Sequence, residues 1–168
     1  MYKIGDFVVH GTNGVCEVEN IGTLEDMGMP KGRLYYTLHP CYSEQSRVFT
    51  AVENPKVVIR PVLTRPEAQA LIDEMPQIEY LWIKDEKQRE SEYREALHKC
   101  DCRELVRIIK TIYVHQKKRI EEGKKVTSID DKYFHLAEDN LYGELAFPLK
   151  MEKEDVKKYI IQRIALEE

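Results

Sequence analysis

The chain contains a single tryptophan, Trp82, and its neighbours give that side chain a chemical context. The indole lies in a short apolar run, residues 80–83. The run is followed by four cations: Lys84, Lys87, Arg89 and Arg94. An indole stacks on bases while cations contact phosphates, so the pattern is typical of a side chain placed beside a polyanion. The alternative is that Trp82 closes a core between two domains, because aromatic side chains are mostly buried.

A second group of cations recurs at steps of four, three and seven residues further along the chain. Its members are Arg103, Arg107, Lys110 and Lys117. This spacing predicts one face of a helix, and such a row can follow a DNA backbone and make the affinity depend on salt. The alternative is an ordinary solvated face, whose cations pair with acidic residues of the preceding helix. Those acidic residues are Glu90, Glu92 and Glu95.

Histidine and cysteine side chains are the remaining candidates for chemistry. His98, Cys100 and Cys102 lie close together in the sequence, with His115 further along. Three ligands at this spacing match no common zinc module, since structural zinc sites usually have four. No nucleophile and base occur at a known spacing, and the usual hydrolase and phosphate-binding motifs are absent. We therefore expect no metal, no cofactor and no enzymatic activity. Bound zinc, or a turnover lost on Cys100→Ser, would favour the enzymatic alternative.

Positive charge is concentrated in the middle of the chain. The net charge of −4 argues against binding to nucleic acid through bulk charge. Residues 84–125, however, include 13 basic and 9 acidic residues, whereas residues 126–168 include 6 and 10. The positive region is therefore local and begins just after Trp82. No apolar run of ~18 residues and no signal-peptide pattern occurs, so we expect a cytoplasmic protein with unbridged cysteines.

The N-terminal third is predicted to form five short strands. The expected strands are residues 6–10, 15–21, 34–39, 47–52 and 57–60, separated by glycine- and proline-containing turns. Five strands in about 60 residues without a helix predict a small Tudor- or SH3-like β-barrel over residues 1–61. Such domains commonly bind through an exposed strand edge, so a protein partner is expected.

Residues 62–168 are predicted to form an all-α bundle of five helices, which makes the fold class α+β. Capping signals open the first, third and fourth helices at Thr64, Asp101 and Thr127. The first helix should cover residues 65–75, and the second residues 80–99 with Trp82 near its start. The fourth should stop at Pro148, and the fifth should cover residues 151–165. In the third helix, Tyr113 and Ile120 are expected in the buried stripe.

Several segments, in this order, resemble the CarD and CdnL family of bacterial transcription regulators. They are residues 2–10 (YKIGDFVVH), the Gly14-Val15 pair, residues 17–22, the triplet Val52-Glu53-Asn54, and residues 136–146 (LAEDNLYGELA). The likeness covers about residues 2–147. The same N-terminal module occurs as the RNA-polymerase-interacting domain of the transcription-repair coupling factor.

The resemblance implies roles for particular residues. In the family, a Tudor-like N-terminal domain pairs a strand edge with the RNA polymerase β subunit, often through arginines on the second and fourth strands. The matching positions here are Leu24 and Phe49, and Arg47 lies two residues before Phe49 on the same strand face. The family's tryptophan is a wedge at the upstream fork of the promoter bubble, and Trp82 is the matching residue.

The sequence thus predicts a regulator that binds the polymerase β subunit through the barrel and promoter DNA through the helical domain. It would stabilise the open promoter complex with Trp82, largely without reading base sequence. We expect no membrane and no small-molecule substrate. The alternative is a protein–protein adaptor with no direct DNA contact, in which Trp82 is buried.

Overall fold

The computed structural model describes the backbone of residues 1–167 and the side chains of residues 1–164. The chain divides into two compact units, Met1–Val62 and Leu63–Glu168, called here the sheet unit and the helical unit. The predicted α+β class is confirmed. Within residues 1–167, no helix is long and apolar enough to cross a membrane.

The sheet unit is one five-stranded antiparallel sheet. Its strands are β1 (Phe7–His10), β2 (Val15–Thr23), β3 (Leu34–Pro40), β4 (Val48–Ala51) and β5 (Ile59–Pro61). Their spatial order is β4-β3-β2-β1-β5, which makes β4 and β5 the edge strands. The pairings of residues 1–62 leave the sheet open, so the predicted closure into a Tudor- or SH3-like barrel is not confirmed.

One face of the sheet holds a small apolar core. Its buried members are Val8, Cys16, Val18, Tyr36 and Leu38. They follow the alternation that places every second side chain of a strand on the same face. The turn after β1 requires glycine at position 11, which has φ +50°, and a Cβ there would collide with the side chain of Val57.

The helical unit contains the five helices that the sequence predicts. They are α1 (Arg65–Glu74), α2 (Arg89–His98), α3 (Cys102–Glu121), α4 (Ser128–Leu149) and α5 (Lys153–Glu167). The predicted caps are present, because the side chains of Thr64, Asp101 and Thr127 each accept a hydrogen bond from a first-turn N–H. Pro148 does not stop α4, which ends one residue later with Lys150 in the left-handed conformation.

The predicted second helix begins nine residues too early. Residues 78–85 have no helical structure, and a 3-10 turn at Glu86–Gln88 precedes α2. Two contacts favour this arrangement. The N–H of Leu81 donates to Thr111 instead of to a carbonyl of its own segment, and the carboxylate of Asp85 accepts from the N–H of Lys87 and so caps the turn. Trp82 therefore lies on an extended segment.

The helix α4 is central, since it packs against each of the other four helices. The row Leu105, Ile108 and Ile112 of α3 is buried in the shared core. At helical spacing this row continues through His115, not through Tyr113 and Ile120. Tyr113 and Ile120 are accordingly 59% and 62% exposed, and the prediction that they belong to the buried stripe is wrong.

Two acidic side chains are buried in α4, Asp130 and Glu144. The carboxylate of Glu144 accepts the backbone N–H of Leu63 and the thiol of Cys102, each at 3.0 Å. It therefore connects α4 to the start of the helical unit and to the first turn of α3. A buried carboxylate is tolerated only with such partners.

Replacing Glu144 with Gln should destabilise the helical unit by about 1–3 kcal/mol. The amide retains one acceptor oxygen, so either the Leu63 N–H or the Cys102 thiol faces an NH₂ group and loses its acceptor. Urea unfolding followed by Trp82 fluorescence measures the change. The matched control is Glu152→Gln, an exposed position where we expect a change within about 0.5 kcal/mol. Equal stabilities of the two variants would contradict the assigned role of Glu144.

The sheet unit should lose stability as the pH falls below about 6.5, the ordinary pKa of histidine. His10 is 3% exposed, and its Nε2 has no hydrogen-bond partner within the described side chains. Burial lowers the pKa of His10 below 6.5, so the unfolded chain takes up a proton first and gains relative stability over that pH window.

Nuclear magnetic resonance titration of the His10 ring should therefore give a pKa below 6.5. Hydrogen exchange of the β1 and β2 amides should become faster, relative to the global rate, between about pH 7 and pH 5. His10→Gln should reduce this pH dependence. A measured pKa of His10 at or above 6.5 would contradict the prediction.

Candidate functional site

The extended segment that carries Trp82 presents the indole to solvent. Trp82 is 79% exposed, whereas Leu81 and Ile83 on either side pack against the helical core. This alternation follows from extended backbone, in which successive side chains point to opposite sides. The interpretation of Trp82 as a residue that closes a core is therefore wrong.

Cations of α3 hold the beginning of this segment through its backbone. The ammonium of Lys110 donates to the carbonyls of Met75, Pro76 and Ile78 at 3.0, 3.4 and 2.5 Å. The ammonium also lies 5.0 Å from the centre of the Tyr80 ring. Burial lowers the pKa of Lys110.

Arg107, one turn before Lys110 on α3, and Thr111, directly after it, extend the same set of contacts. The guanidinium of Arg107 donates to the carbonyl of Glu79 at 3.3 Å and pairs with Glu104 at 3.1 Å. The hydroxyl of Thr111 accepts the N–H of Leu81 at 2.8 Å and donates to the carbonyl of Arg107 at 2.7 Å. The polar backbone of the segment is thus satisfied by α3.

The far end of the segment is held by a connected set of charged and polar side chains. Arg89 donates to both carboxylate oxygens of Glu86 at 2.8 and 3.0 Å and to the hydroxyl of Tyr93 at 2.7 Å. The Tyr93 hydroxyl donates to Asp130 at 2.7 Å, and the other oxygen of Asp130 bonds to Nδ1 of His115. The hydrogen bond from Arg89 lowers the pKa of Glu86, and burial raises the pKa of Tyr93.

The structure divides the predicted DNA-binding cations into two groups. Lys84, Lys87 and Lys117 are exposed, and their ammonium groups form no ion pair or hydrogen bond within the described side chains. Two others are exposed but paired: Arg94 with Glu90 at 3.3 Å, and Arg103 with Glu74. Such surface pairs are weak and open to exchange for phosphate.

Arg89, Arg107 and Lys110 form the second group, because their donors are directed into the fold. The row predicted along α3 is therefore not a continuous line of free cations. Nor do its arginines pair with α2, as the alternative supposed, since Arg103 pairs with Glu74 and Arg107 with Glu104. Two of its four members, Arg107 and Lys110, bind the backbone of the Trp82 segment.

In the sheet unit, the structure brings together two of the three predicted polymerase contacts. Phe49 is exposed on the edge strand β4, opposite Thr37 of β3. Arg47 lies one residue before β4, and its guanidinium pairs with Glu19 at 2.7 Å. Leu24 follows β2, which ends at Thr23 opposite Leu34 of β3. Leu24 is thus displaced from Phe49 by at least three residues of β3, or about 10 Å.

The histidine and cysteine candidates have separate partners. Cys102 donates to Glu144, whereas His115 bonds to Asp130. No group of three or more His, Cys, Asp or Glu side chains could hold a metal within the described part of the chain. None of the four cysteines forms a disulfide bond, as the sequence predicts. Burial raises the pKa of the Cys16 thiol to about 12.

Sequence reasoning missed the residues that hold the Trp82 segment, above all Thr111, Tyr93 and Asp130. Asp130 follows the cap residue Thr127 and looked like an ordinary first-turn acid. Its bond to Tyr93 spans 37 positions in the sequence, so no local pattern indicates it. The only available signal was the position of Thr111 between two inward-facing isoleucines, Ile108 and Ile112.

Part of the chain is similar to a known protein family. The family model described as the CarD-like/TRCF RID domain matches residues 2–63. The match covers the sheet unit and ends at the first residue of the helical unit. Comparison with curated proteins finds no match.

Lys110→Met should lower the free energy of unfolding of the helical unit by about 1–3 kcal/mol. The substitution keeps the apolar stem but removes a charged donor from three backbone carbonyls. Lys117→Met, on the same helix but without those contacts, should change stability by less than about 0.5 kcal/mol. Chemical denaturation compares the variants, and equal losses would show that Lys110 is an ordinary surface cation.

Proposed function

We propose that the chain is a transcription regulator that acts on promoter DNA while bound to RNA polymerase, because residues 2–63 match the CarD-like/TRCF RID domain, which implies interaction with RNA polymerase. The sheet unit would bind the polymerase β subunit, and the helical unit would contact DNA. The observation that carries the DNA contact is the exposure of Trp82 on a firmly held segment.

The edge strand β4 is the proposed polymerase-binding element. It pairs with β3 on one side, and its other edge has no strand partner within residues 1–62. A free edge can accept a strand of another protein through main-chain hydrogen bonds, while exposed side chains supply specificity. Phe49 offers an apolar contact there, and Arg47 can exchange its pair with Glu19 for a partner's carboxylate. A strongly bent, Tudor-like form of the sheet belongs to the same proposal.

Trp82 is the proposed DNA contact. An apolar ring inserted at a base step that is already open offsets part of the cost of unstacking, which is a few kcal/mol per step. Leu81 and Ile83 are packed against the core, so little of their freedom remains to be lost when the indole docks. Lys84 and Lys87 follow within five residues and are available for phosphates on either side of the fork.

Attachment to polymerase explains how an acidic protein can act on DNA. A short linker between two binding modules gives a local concentration in the millimolar range, so weak contacts suffice. The helical unit then needs only a local excess of positive charge and does not have to recognise a base sequence. In this proposal the protein acts by binding alone and has no catalytic activity.

Trp82→Ala should leave the fold intact and shorten the lifetime of the open promoter complex. A contribution of about 1.4 kcal/mol to the open state corresponds to a tenfold change, and the exposed ring contributes little to stability. Competitor challenge of preformed complexes measures the lifetime. Trp82→Phe should be intermediate, and Ile161→Ala, an exposed apolar residue of α5, is the control. An unchanged lifetime with Trp82→Ala would favour an adaptor without DNA contact.

Phe49→Glu should weaken binding of the full chain to the isolated polymerase β subunit at least about tenfold. The substitution places a charge in the centre of the proposed contact, where it would lose its hydration. Val58→Glu, an exposed residue beside the opposite edge strand, is the matched control. Equal affinities of the two variants in a pull-down titration would remove β4 from the interface.

A further inference from the structure

The segment carrying Trp82 depends on the helices for its conformation, because residues 78–85 form no helix or strand. Its beginning is held by Lys110, Arg107 and Thr111 of α3. Its end is held by one ring of five side chains, which we call the Asp130 ring. The ring consists of Glu86, Arg89, Tyr93, His115 and Asp130.

Asp130 determines the direction of the two hydrogen bonds that it accepts in the ring. It is fully buried, and both of its oxygens are occupied, one by the Tyr93 hydroxyl and the other by Nδ1 of His115. A carboxylate only accepts, so Tyr93 must donate to it and can then accept from Arg89. For the same reason His115 carries a proton on Nδ1.

The two arms that leave Asp130 converge on the same carboxylate, Glu86. Through Tyr93, the first arm reaches Arg89, whose guanidinium binds both oxygens of Glu86. Along the second arm, Nε2 of His115 lies 3.7 Å from Glu86. The side chain of Arg89 is 12% exposed, whereas that of Glu86 is 70% exposed. The ring therefore links the buried carboxylate of Asp130 to the exposed turn that begins at Glu86.

Glu86 lies four residues after Trp82, at the start of the turn Glu86–Gln88. On the other side of Trp82, the N–H of Leu81 is fixed to Thr111. Residues 82–85 thus form a short arch with both ends attached to the helical core. Releasing Glu86 would remove the side-chain attachment at the far end of the arch and leave only the Leu81 bond and the packing of Ile83, so the indole would sample more orientations.

We propose that the Asp130 ring is a positioning device for Trp82, with Glu86 as the residue through which it acts. The proposal rests on the proposed function for its consequence at the promoter, but not for its effect on the indole itself. Fixing an interacting side chain in advance reduces the entropy lost on binding. Release of the arch should accordingly cost roughly two- to tenfold in the lifetime of the open complex.

Glu86→Gln is the decisive variant because it weakens the surface attachment and leaves the buried Asp130 pairs intact. Glu79→Gln is the matched control, since it removes the same charge from the same segment, three residues before Trp82, where only the backbone carbonyl is bonded by Arg107. Time-resolved fluorescence anisotropy of the full chain reads the motion of Trp82 directly, because the chain contains no other tryptophan. We expect a lower residual anisotropy for Glu86→Gln and a wild-type value for Glu79→Gln. Equal anisotropies of the two variants would overturn the proposal.

The lifetime of the open complex provides the second readout, and the direction in which each variant changes that lifetime is informative. Removing a negative charge near DNA should by itself favour binding, so charge alone predicts that neither variant shortens the lifetime. We expect Glu86→Gln to shorten it roughly two- to tenfold and Glu79→Gln not to. In the Trp82→Ala background, Glu86→Gln should have no further effect. A further loss there would overturn the claim that Glu86 acts through Trp82.

The two proposals can fail separately. If Trp82→Ala leaves the lifetime unchanged, the DNA contact is wrong, while the anisotropy comparison still tests the ring. If Trp82→Ala shortens the lifetime but Glu86→Gln lowers only the anisotropy, the ring holds the indole without serving the promoter contact, and the functional part of this inference is overturned.

Discussion

A backbone segment without secondary structure must have its polar groups satisfied from outside, and the helical unit is arranged around one such segment. Residues 78–81 direct carbonyl and N–H groups at α3, where Lys110, Arg107 and Thr111 bind them. These contacts occupy Lys110 and Arg107, which would otherwise be free cations on the surface. The bond from Leu81 to Thr111 also places the Leu81 side chain against the core. Because successive side chains of extended backbone point to opposite sides, Trp82 then faces solvent.

The central helix α4 supports this arrangement with two buried acids that serve different parts of the fold. Glu144 connects the start of the helical unit to α3, and Asp130 connects α2 and α3 to the turn after Trp82. Each is tolerated because hydrogen-bond donors surround it, and each would be costly without them. An apolar residue could fill the same space but could not direct neighbouring side chains. The acids therefore specify geometry more than they add stability.

In the proposed function, the two units contribute by different physical means. In the sheet unit, the edge strand β4 offers main-chain groups, and recognition there would depend on backbone geometry with a few side chains. In the helical unit, the candidate contact is a single ring with nearby lysines, which suits a partner read by shape and charge. The family match covers the first of these, whereas the argument for the second rests on exposure and on hydrogen bonds.

The sequence by itself determined the features that depend on neighbouring residues. The caps at Thr64, Asp101 and Thr127 involve contacts within three residues, and a local pattern suffices to predict them. Only the tertiary structure decided that residues 80–83 are extended, because the bond from Leu81 to Thr111 spans 30 positions. The same holds for the exposure of Trp82 and for the pairing of Tyr93 with Asp130. Burial and long-range hydrogen bonds depend on which surfaces meet, and no sequence period encodes that choice.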